Sequence, residues 1–187
     1  MIVGAMTVLR FATTRALFDS FPELWEKIRM QPTEQPPIDF LKGLSSANKL
    51  TDAVTFCAFL LPRREVVWWA CRCFRVLAGE VAAREPGLLA AEAWVQDPGD
   101  QHRRAALDIG TNEDSSNPAT WLALAAGWSG GFQAFSPNRQ IPVPQHLTPR
   151  AARIAVLTSL QKLRMPARQD RLRDCIADGV KLAEGGL

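Results

Sequence analysis

The sequence predicts an all-α fold, a compact bundle of about eight helices that forms one domain over residues 1–187. Apolar residues recur at helical spacing through most of the chain, and the alternating pattern of half-buried strands is almost absent. Proline and glycine interrupt the chain where helices are expected to begin and end. Hydrophobic residues make up 47% and charged residues 22%, a composition that favours a globular protein with a sizeable core.

We expect the bundle to be built around a central helix over residues 62–79. Most of its circumference is apolar, which is typical of a helix buried on several sides. The remaining polar stripe consists of Arg64, Trp68, Arg72 and Arg75. Trp68 is four residues from both Arg64 and Arg72, so a guanidinium can stack on the indole. The stripe is either an arginine-covered tryptophan on the surface or an anchor for a protein partner.

Two arginines at the start of this helix are placed unfavourably. Arg63 and Arg64 lie at the positive end of the helix dipole, at a cost of a few tenths of a kcal/mol each.

The other helix ends follow from local signals. Ser20 and Glu23 match a capping box between two helical pieces, and Asn48 can cap the helix that precedes the central one. The first ten residues are expected to form a short strand or a tail on the core. Later helices are expected to start at Pro86, Asp97–Asp100, Asn117–Pro118, Thr148–Pro149 and Pro166.

Residues 130–147 are the longest stretch without helical periodicity, and we expect a long loop rich in proline and glycine. Its Ile-Pro-Val-Pro run, with Pro142 and Pro144, favours an extended course. Loops of this length in a compact domain are usually functional or lie over the core.

The chain has six tryptophans and no tyrosine. Trp25, Trp69 and Trp94 fall on apolar rows and are expected in the core. Trp121 and Trp128, seven residues apart, either pack inside or form an aromatic patch for a partner.

Charge and composition argue against several classes of protein. A net charge of +3 is too small to indicate nucleic-acid binding, although residues 150–187 carry eight basic against four acidic side chains. That excess favours a solvated helical face first and an acidic partner second. The chain shows no signal peptide and no apolar run of ~18 residues, so no membrane contact and a cytoplasmic location are expected. The cysteines at 57, 71, 73 and 175 are expected to be reduced core thiols.

No motif predicts a cofactor, a metal or a catalytic group. Cys71 and Cys73 would point about 200° apart on a helix and cannot share a metal ion. Residues 127–131 match G-x-S-x-G, but that nucleophile elbow requires a strand-to-helix turn, and here a helix comes first. An enzyme that uses Ser129 with His146 is the catalytic alternative.

Four blocks resemble an uncharacterised family of small bacterial proteins. They are LPRREVVWWACRCFR, AAEAWVQDPGDQHRRAA, WLALAAGWSGGF and IPVPQHLTPRAARIAVL, at residues 61–75, 90–106, 121–132 and 141–157. Members of that family are typically encoded beside type VI secretion effectors, spike proteins and effector chaperones. The resemblance implies an accessory role in loading or folding an effector, and it implies no catalytic residue.

We therefore expect a non-enzymatic adaptor or co-chaperone that binds a type VI secretion effector or its chaperone. The expected contact residues are Arg64, Trp68, Arg72, Arg75, Trp121, Trp128, Pro142 and Pro144. The alternatives are a small hydrolase or effector and an immunity-type binding module. An α-solenoid would need an internal repeat, and none of 34 or 40 residues is apparent. The oligomeric state stays open.

Overall fold

A computed structural model describes residues 9–136 and 139–185 of the chain. Within these ranges it contains ten α-helices and one two-stranded sheet, which confirms the all-α prediction. The helices are α1 Thr14–Ser20, α2 Glu23–Lys27, α3 Pro37–Ser46, α4 Leu50–Leu60, α5 Arg63–Ala78, α6 Pro86–Gln96, α7 Asp100–Asn112, α8 Pro118–Gly127, α9 Leu147–Ser159 and α10 Ala167–Ala183. The strands are β1 Phe132–Ser136 and β2 Arg139–Pro142.

The contacts between helices divide the chain into two compact units. One unit, which we call the inner unit, is Arg63–Ser159 and contains α5 to α9 with the hairpin. The other, the terminal unit, contains α1 to α4 and, from Leu160 onward, α10. The expectation that residues 1–187 form one domain stays a prediction.

Aromatic side chains form the core of the terminal unit. The ring of Phe18 on α1 meets Phe40 on α3 at 5.8 Å and Phe56 on α4 at 6.2 Å, measured between centroids. Phe40 and Phe56 are 4.8 Å apart, so three helices share one apolar centre. Helix α10 packs against α3 and α4.

Trp25 was expected in the core, and that prediction is wrong, since 40% of it is exposed. Its ring packs edge-on against Phe18, 5.1 Å away, and thus covers the aromatic centre from outside. The guanidinium of Arg15 lies over the indole at 6.0 Å. Trp25 lies on a helix of only five residues, too short to bury a tryptophan on all sides. Trp69 and Trp94 are buried, as predicted.

In the inner unit the predicted central helix is α5, and its apolar rows are buried as expected. These residues are Val66, Val67, Trp69, Ala70, Cys71, Cys73 and Phe74. Helix α8 is enclosed even more completely, because it packs against α5, α6, α7 and α9. Every residue from Ala119 to Gly127 is buried except Trp121.

Alanine and glycine let α8 approach its neighbours closely. A β-carbon at Gly87 on α6 would overlap the carbonyl oxygen of Ala119. A β-carbon at Gly127 would lie 2.7 Å from the Cα of Leu107 on α7. These backbones pack at a distance that only glycine allows.

Helix starts that begin with Asn-Pro or Pro were predicted well, and two proposed caps were wrong. The side chain of Asn117 accepts a hydrogen bond from the Ala119 amide and caps α8 as expected. Ser20 instead donates to the carbonyl of Ala16 inside α1, and Pro22 precedes α2. Asn48 adopts φ 57° in the turn after α3 and leaves Lys49 at the cap of α4.

The four cysteines are buried thiols, as predicted. Loss of solvation raises the pKa of the Cys57 and Cys71 thiols far above the usual 9.0. Because Cys57 and Cys71 rarely form the reactive thiolate and all four cysteines are shielded from solvent, we expect the folded protein to react very slowly with a thiol-specific disulfide reagent. Unfolding in urea should expose all four thiols to the reagent. The absorbance at the end of each reaction would give the number of thiols that have reacted. Rapid modification of one cysteine in the folded protein would contradict this.

Candidate functional site

The segment over residues 130–147 is partly a β-hairpin, and this corrects the expectation of a loop. Strands β1 and β2 pair antiparallel, with Phe132 opposite Pro142 and Gln133 opposite Ile141. The amide of Val143 donates to the carbonyl of Gly131 at 3.1 Å and extends the pairing beyond the strands. Both strands of a two-stranded sheet are edge strands, so the missing N–H of Pro142 is tolerated. The extended course predicted for this run is confirmed.

The hairpin and helix α7 enclose a groove of about 510 Å³, the hairpin groove. It is lined by Asp100, Arg103, Arg104, Leu107, Gly131, Phe132 and Gln140. Four of these residues come from α7 and three from the hairpin and the residue that precedes it. The groove therefore depends on how the hairpin is held against α7.

Arg103 on α7 binds the end of α8 and packs against Gly131, the residue before the hairpin. Its Nη1 donates to the carbonyl of Gly127 at the end of α8, 3.1 Å away. Its Nε and Nη2 donate to Oδ1 of Asp100 at 2.8 and 2.6 Å. Gly131 has φ 81°, and a β-carbon there would lie 2.7 Å from Nη2 of Arg103. The backbone conformation thus favours glycine at position 131, and any larger residue would also displace the guanidinium of Arg103.

A second arginine fixes the same turn from α5. Nη1 of Arg63 donates to the carbonyl of Ser129 at 2.7 Å. Arg64 beside it donates through Nε to the carbonyl of Val95, in the last turn of α6, also at 2.7 Å. The sequence placed these two cations at an unfavourable helix start. The Val95 carbonyl lies at the C-terminal end of α6, the negative end of that helix dipole, so its bond to Arg64 offsets part of the cost. The Ser129 carbonyl, in the turn after α8, gives Arg63 an acceptor.

The groove carries charge of both signs. The hydrogen bond from Arg103 lowers the pKa of the Asp100 carboxyl below its usual 3.8, and the nearby charges of Arg103 and Arg104 add to this effect. Arg104 contacts Oδ2 of Asp100 at 2.6 Å, and 74% of its side chain remains exposed. The side chain of Arg103 is only 11% exposed. Arg104 is therefore the cation that a partner can reach, whereas Arg103 is structural.

Phe132 is the most exposed large apolar residue among those that the structure describes, at 64%. It lines the hairpin groove beside Gly131, and Pro142 opposite it in the sheet is exposed as well. Pro144 is half-buried. An exposed phenylalanine next to a groove is a feature typical of contact surfaces.

Two of the four residues of the polar stripe on α5 are bound to α6. Arg64 donates to Val95, and Arg75 forms a two-pronged ion pair with Glu92, at 2.5 Å for each bond. Between them, the guanidinium of Arg72 lies over the ring of Trp68 at 5.9 Å, the stacking that the spacing predicted. Trp68 and Arg72 are both half-buried. The stripe thus joins α5 to α6, and its role as a partner surface stays a prediction.

Trp121 and Trp128, for which the sequence left both a core and a surface position open, are half-buried. The indole N–H of Trp121 donates to the carbonyl of Ser115 at 2.8 Å. This bond fixes the turn before α8, where Asp114 also accepts bonds from the amide and hydroxyl of Ser116. These hydrogen bonds lower the pKa of the Asp114 carboxyl. Trp128 follows the end of α8, and its amide donates to Leu124.

Ser129 lies in a turn that leads from helix α8 into strand β1. This is the reverse of the strand-to-helix order of a nucleophile elbow. Ser129 is only 8% exposed, and its carbonyl accepts a hydrogen bond from Arg63. Structural features account for both glycines of the motif. Gly127 packs closely against the backbone of Leu107, and Gly131 has a positive φ beside Arg103. In the part of the chain that the structure describes, no three His, Cys, Asp or Glu side chains come together as a possible metal site.

The residues that form the hairpin groove were mostly missed by sequence reasoning. Arg103 and Arg104 appeared only within a block of family resemblance, and Phe132 was part of an expected loop. A usable signal was the Pro-Asn pair at residues 137–138 between two short runs that contain phenylalanine and isoleucine, since such turn residues indicate a hairpin.

Comparisons with known proteins identify a family and no activity. Among the residues that the structure describes, no helix combines the length and the apolar character needed to span a membrane. Neither the curated proteins nor the solved structures contain a match to the chain. One family, described as a family of unknown function (DUF6931), matches residues 40–183. This match covers more than two thirds of the chain, which therefore belongs to that uncharacterised family.

Proposed function

We propose that the protein is a non-enzymatic adaptor or co-chaperone that binds a type VI secretion effector or an effector chaperone in the cytoplasm. The hairpin groove is the contact surface, with Phe132 as its apolar anchor and Arg104 as its accessible cation. The kind of partner follows from the family resemblance of the sequence blocks. The choice of surface rests on a single observation, the exposure of Phe132 at the edge of a groove with charged walls.

Three features support this surface over the stripe on α5. Phe132 is 64% exposed, whereas Trp68 is half-buried. The side chain of Arg75 in the stripe is 44% exposed and paired with Glu92 on α6, whereas that of Arg104, paired with Asp100 on its own helix, is 74% exposed. The turn that leads into the hairpin is bound by Arg103 and Arg63, which helps to preform the surface that a partner would meet.

A co-purification experiment tests the proposal. The tagged protein is expressed with the products of its neighbouring genes, and retained proteins are identified by mass spectrometry. We expect an effector or effector chaperone to be retained, and Phe132→Ser to reduce its retention at least about tenfold, as removal of an apolar anchor does. Leu89→Ser is the matched control, because Leu89 on α6 is 47% exposed and lies outside the groove.

Other outcomes would contradict the proposal in distinct ways. If wild type retains neither kind of partner, the function is wrong. If Phe132→Ser has no effect but Trp68→Ala combined with Arg72→Ala abolishes retention, the function stands and the surface is the stripe on α5. Hydrolysis of an ester substrate that Ser129→Ala abolishes without a change in melting temperature would favour the catalytic alternative.

A further inference from the structure

A second groove lies in the terminal unit, between helices α3 and α10. It has a volume of about 500 Å³. Helix α3 contributes Lys42, Ser45 and Ser46, and α10 with the residue after it contributes Arg173, Ile176, Ala177, Val180, Lys181 and Glu184. None of these residues belongs to the hairpin groove. We call this surface the α3–α10 groove.

Two side-chain bonds define the length and direction of this groove. Nζ of Lys42 donates to Oε1 of Glu184 at 2.7 Å, and Nη2 of Arg173 donates to Oδ1 of Asn48 at 3.0 Å. Lys42, within α3, is next to the end of α10, and Asn48, just after α3, is next to the beginning of α10. The two helices therefore run antiparallel. The eleven steps from Arg173 to Glu184 correspond to about 16 Å of helix, or roughly three turns.

The residues of α10 that line the groove have the spacing of a helix-packing seam. Starting from Arg173, they recur at offsets of 3, 4, 7, 8 and 11 residues, which places them on one face. Ile176 is 2% exposed and forms the floor, while Val180 is half-buried and Ala177 is exposed. Two helices with a short apolar floor and small residues at the rim leave room for a third helix.

The rim is cationic. Lys42, Arg173 and Lys181 oppose a single carboxylate, Glu184, so the lining carries two net positive charges. Among the described residues Lys181 has no ion-pair partner. Lys42 pairs with Glu184 and Arg173 with Asp170, and about half of each of these two basic side chains is exposed. A second copy of this chain docked symmetrically would bring the same cations against one another. Charge complementarity therefore favours an acidic occupant.

We infer that the α3–α10 groove binds an acidic amphipathic helix of a partner protein, about three turns long. Its apolar side packs over Ile176, Ala177 and Val180, and its carboxylates face Lys181, Lys42 and Arg173. This inference does not depend on the function proposed for the hairpin groove, because the two surfaces share no residue.

The probe is a fluorescent synthetic peptide of about 18 residues, with leucines at i, i+3, i+4 and i+7 and alanine and glutamate elsewhere. A twin peptide has lysine at every glutamate position. Titration of the full chain, followed by fluorescence anisotropy, should show binding of the acidic peptide that weakens with added salt. The basic twin should not bind.

Two substitutions locate the site. Lys181→Glu and Ala177→Glu should each weaken binding of the acidic peptide about fivefold or more, because each places a carboxylate in the rim. Arg171→Glu is the control: it makes the same charge change as Lys181→Glu on an exposed residue of α10 outside the groove, and it should leave the affinity unchanged.

Three results would overturn the inference. These are no binding of the acidic peptide, equal binding of its basic twin, and equal losses for Arg171→Glu and Lys181→Glu. Sedimentation of the protein alone adds an independent check. Self-association that Lys181→Glu abolishes would identify a second copy as the occupant and would also overturn it.

Discussion

We expect Gly87→Ala to destabilise the protein by about 3 kcal/mol, at the upper end of the range for overpacked cores. The added methyl group would overlap the Ala119 carbonyl, which is backbone and cannot rotate away. Helix α6 would have to move from α8, and α8 is packed on every other side by α5, α7 and α9. Urea denaturation followed by circular dichroism would measure the loss as a lower midpoint at unchanged slope.

Two further glycines provide controls for this substitution. Gly130 belongs to the same unit, and a β-carbon there would make only an ordinary contact, 3.9 Å from Cδ of Arg103. Gly130→Ala should therefore change stability by less than about 0.5 kcal/mol. Gly43 lies exposed inside α3, where an added methyl group would have no atom within 4 Å, and Gly43→Ala should stabilise the protein by about 0.5–1 kcal/mol. Equal losses at positions 87 and 130 would contradict the close approach of α6 to α8.

The second large effect is expected for Arg103→Ala, a loss of about 2–3 kcal/mol of stability. The substitution removes a charged hydrogen bond to the Gly127 carbonyl and leaves that buried acceptor unpaired. It also removes the guanidinium that packs against Gly131 and holds the hairpin. Thermal unfolding would measure the loss. Arg104→Ala is the control. It breaks a 2.6 Å contact with Asp100, as short as the contact of Arg103 with the same carboxylate, but the Arg104 side chain is 74% exposed. The loss of stability should therefore stay below about 1 kcal/mol.

The pH dependence gives an independent readout of the same contact. Because the folded pKa of Asp100 is depressed, its contribution to stability is present above the usual value of 3.8 and is lost as the pH falls through the folded pKa. Part of the difference between wild type and Arg103→Ala should therefore vanish below about pH 4. NMR titration should show the pKa of Asp100 higher in Arg103→Ala than in wild type. An unchanged pKa would show that Arg103 does not hold this carboxylate.

The helices could be predicted because their ends depend on neighbouring residues. Asn117 caps α8 by accepting a hydrogen bond from an amide two residues away. Pro86 is the first residue of α6, and Pro166 directly precedes α10. The two caps that were wrong depend on where the preceding helix ends. Helix α1 continues through Ser20, whose hydroxyl bonds to Ala16, and Asn48 is used for the left-handed turn after α3. The local sequence pattern does not distinguish these roles from a cap.

The candidate site could not be predicted, since it depends on contacts distant in sequence. Arg103 reaches a carbonyl 24 residues away, and Arg63 reaches one 66 residues away. Strands β1 and β2 are so short that pairing across the hairpin, rather than periodicity, distinguishes them from a loop. Only the pairing shows that Phe132 lies opposite Pro142 and beside α7.

The enclosure of α8 has a consequence for how the inner unit opens. Its amides from Ala119 to Gly127 lie between four helices, so solvent can exchange their hydrogens only after a neighbouring helix has separated. The slowest amide hydrogen exchange in this unit should therefore be in α8, a helix that is rich in alanine and only weakly amphipathic. Protection of these amides would therefore report cooperative opening of the whole unit.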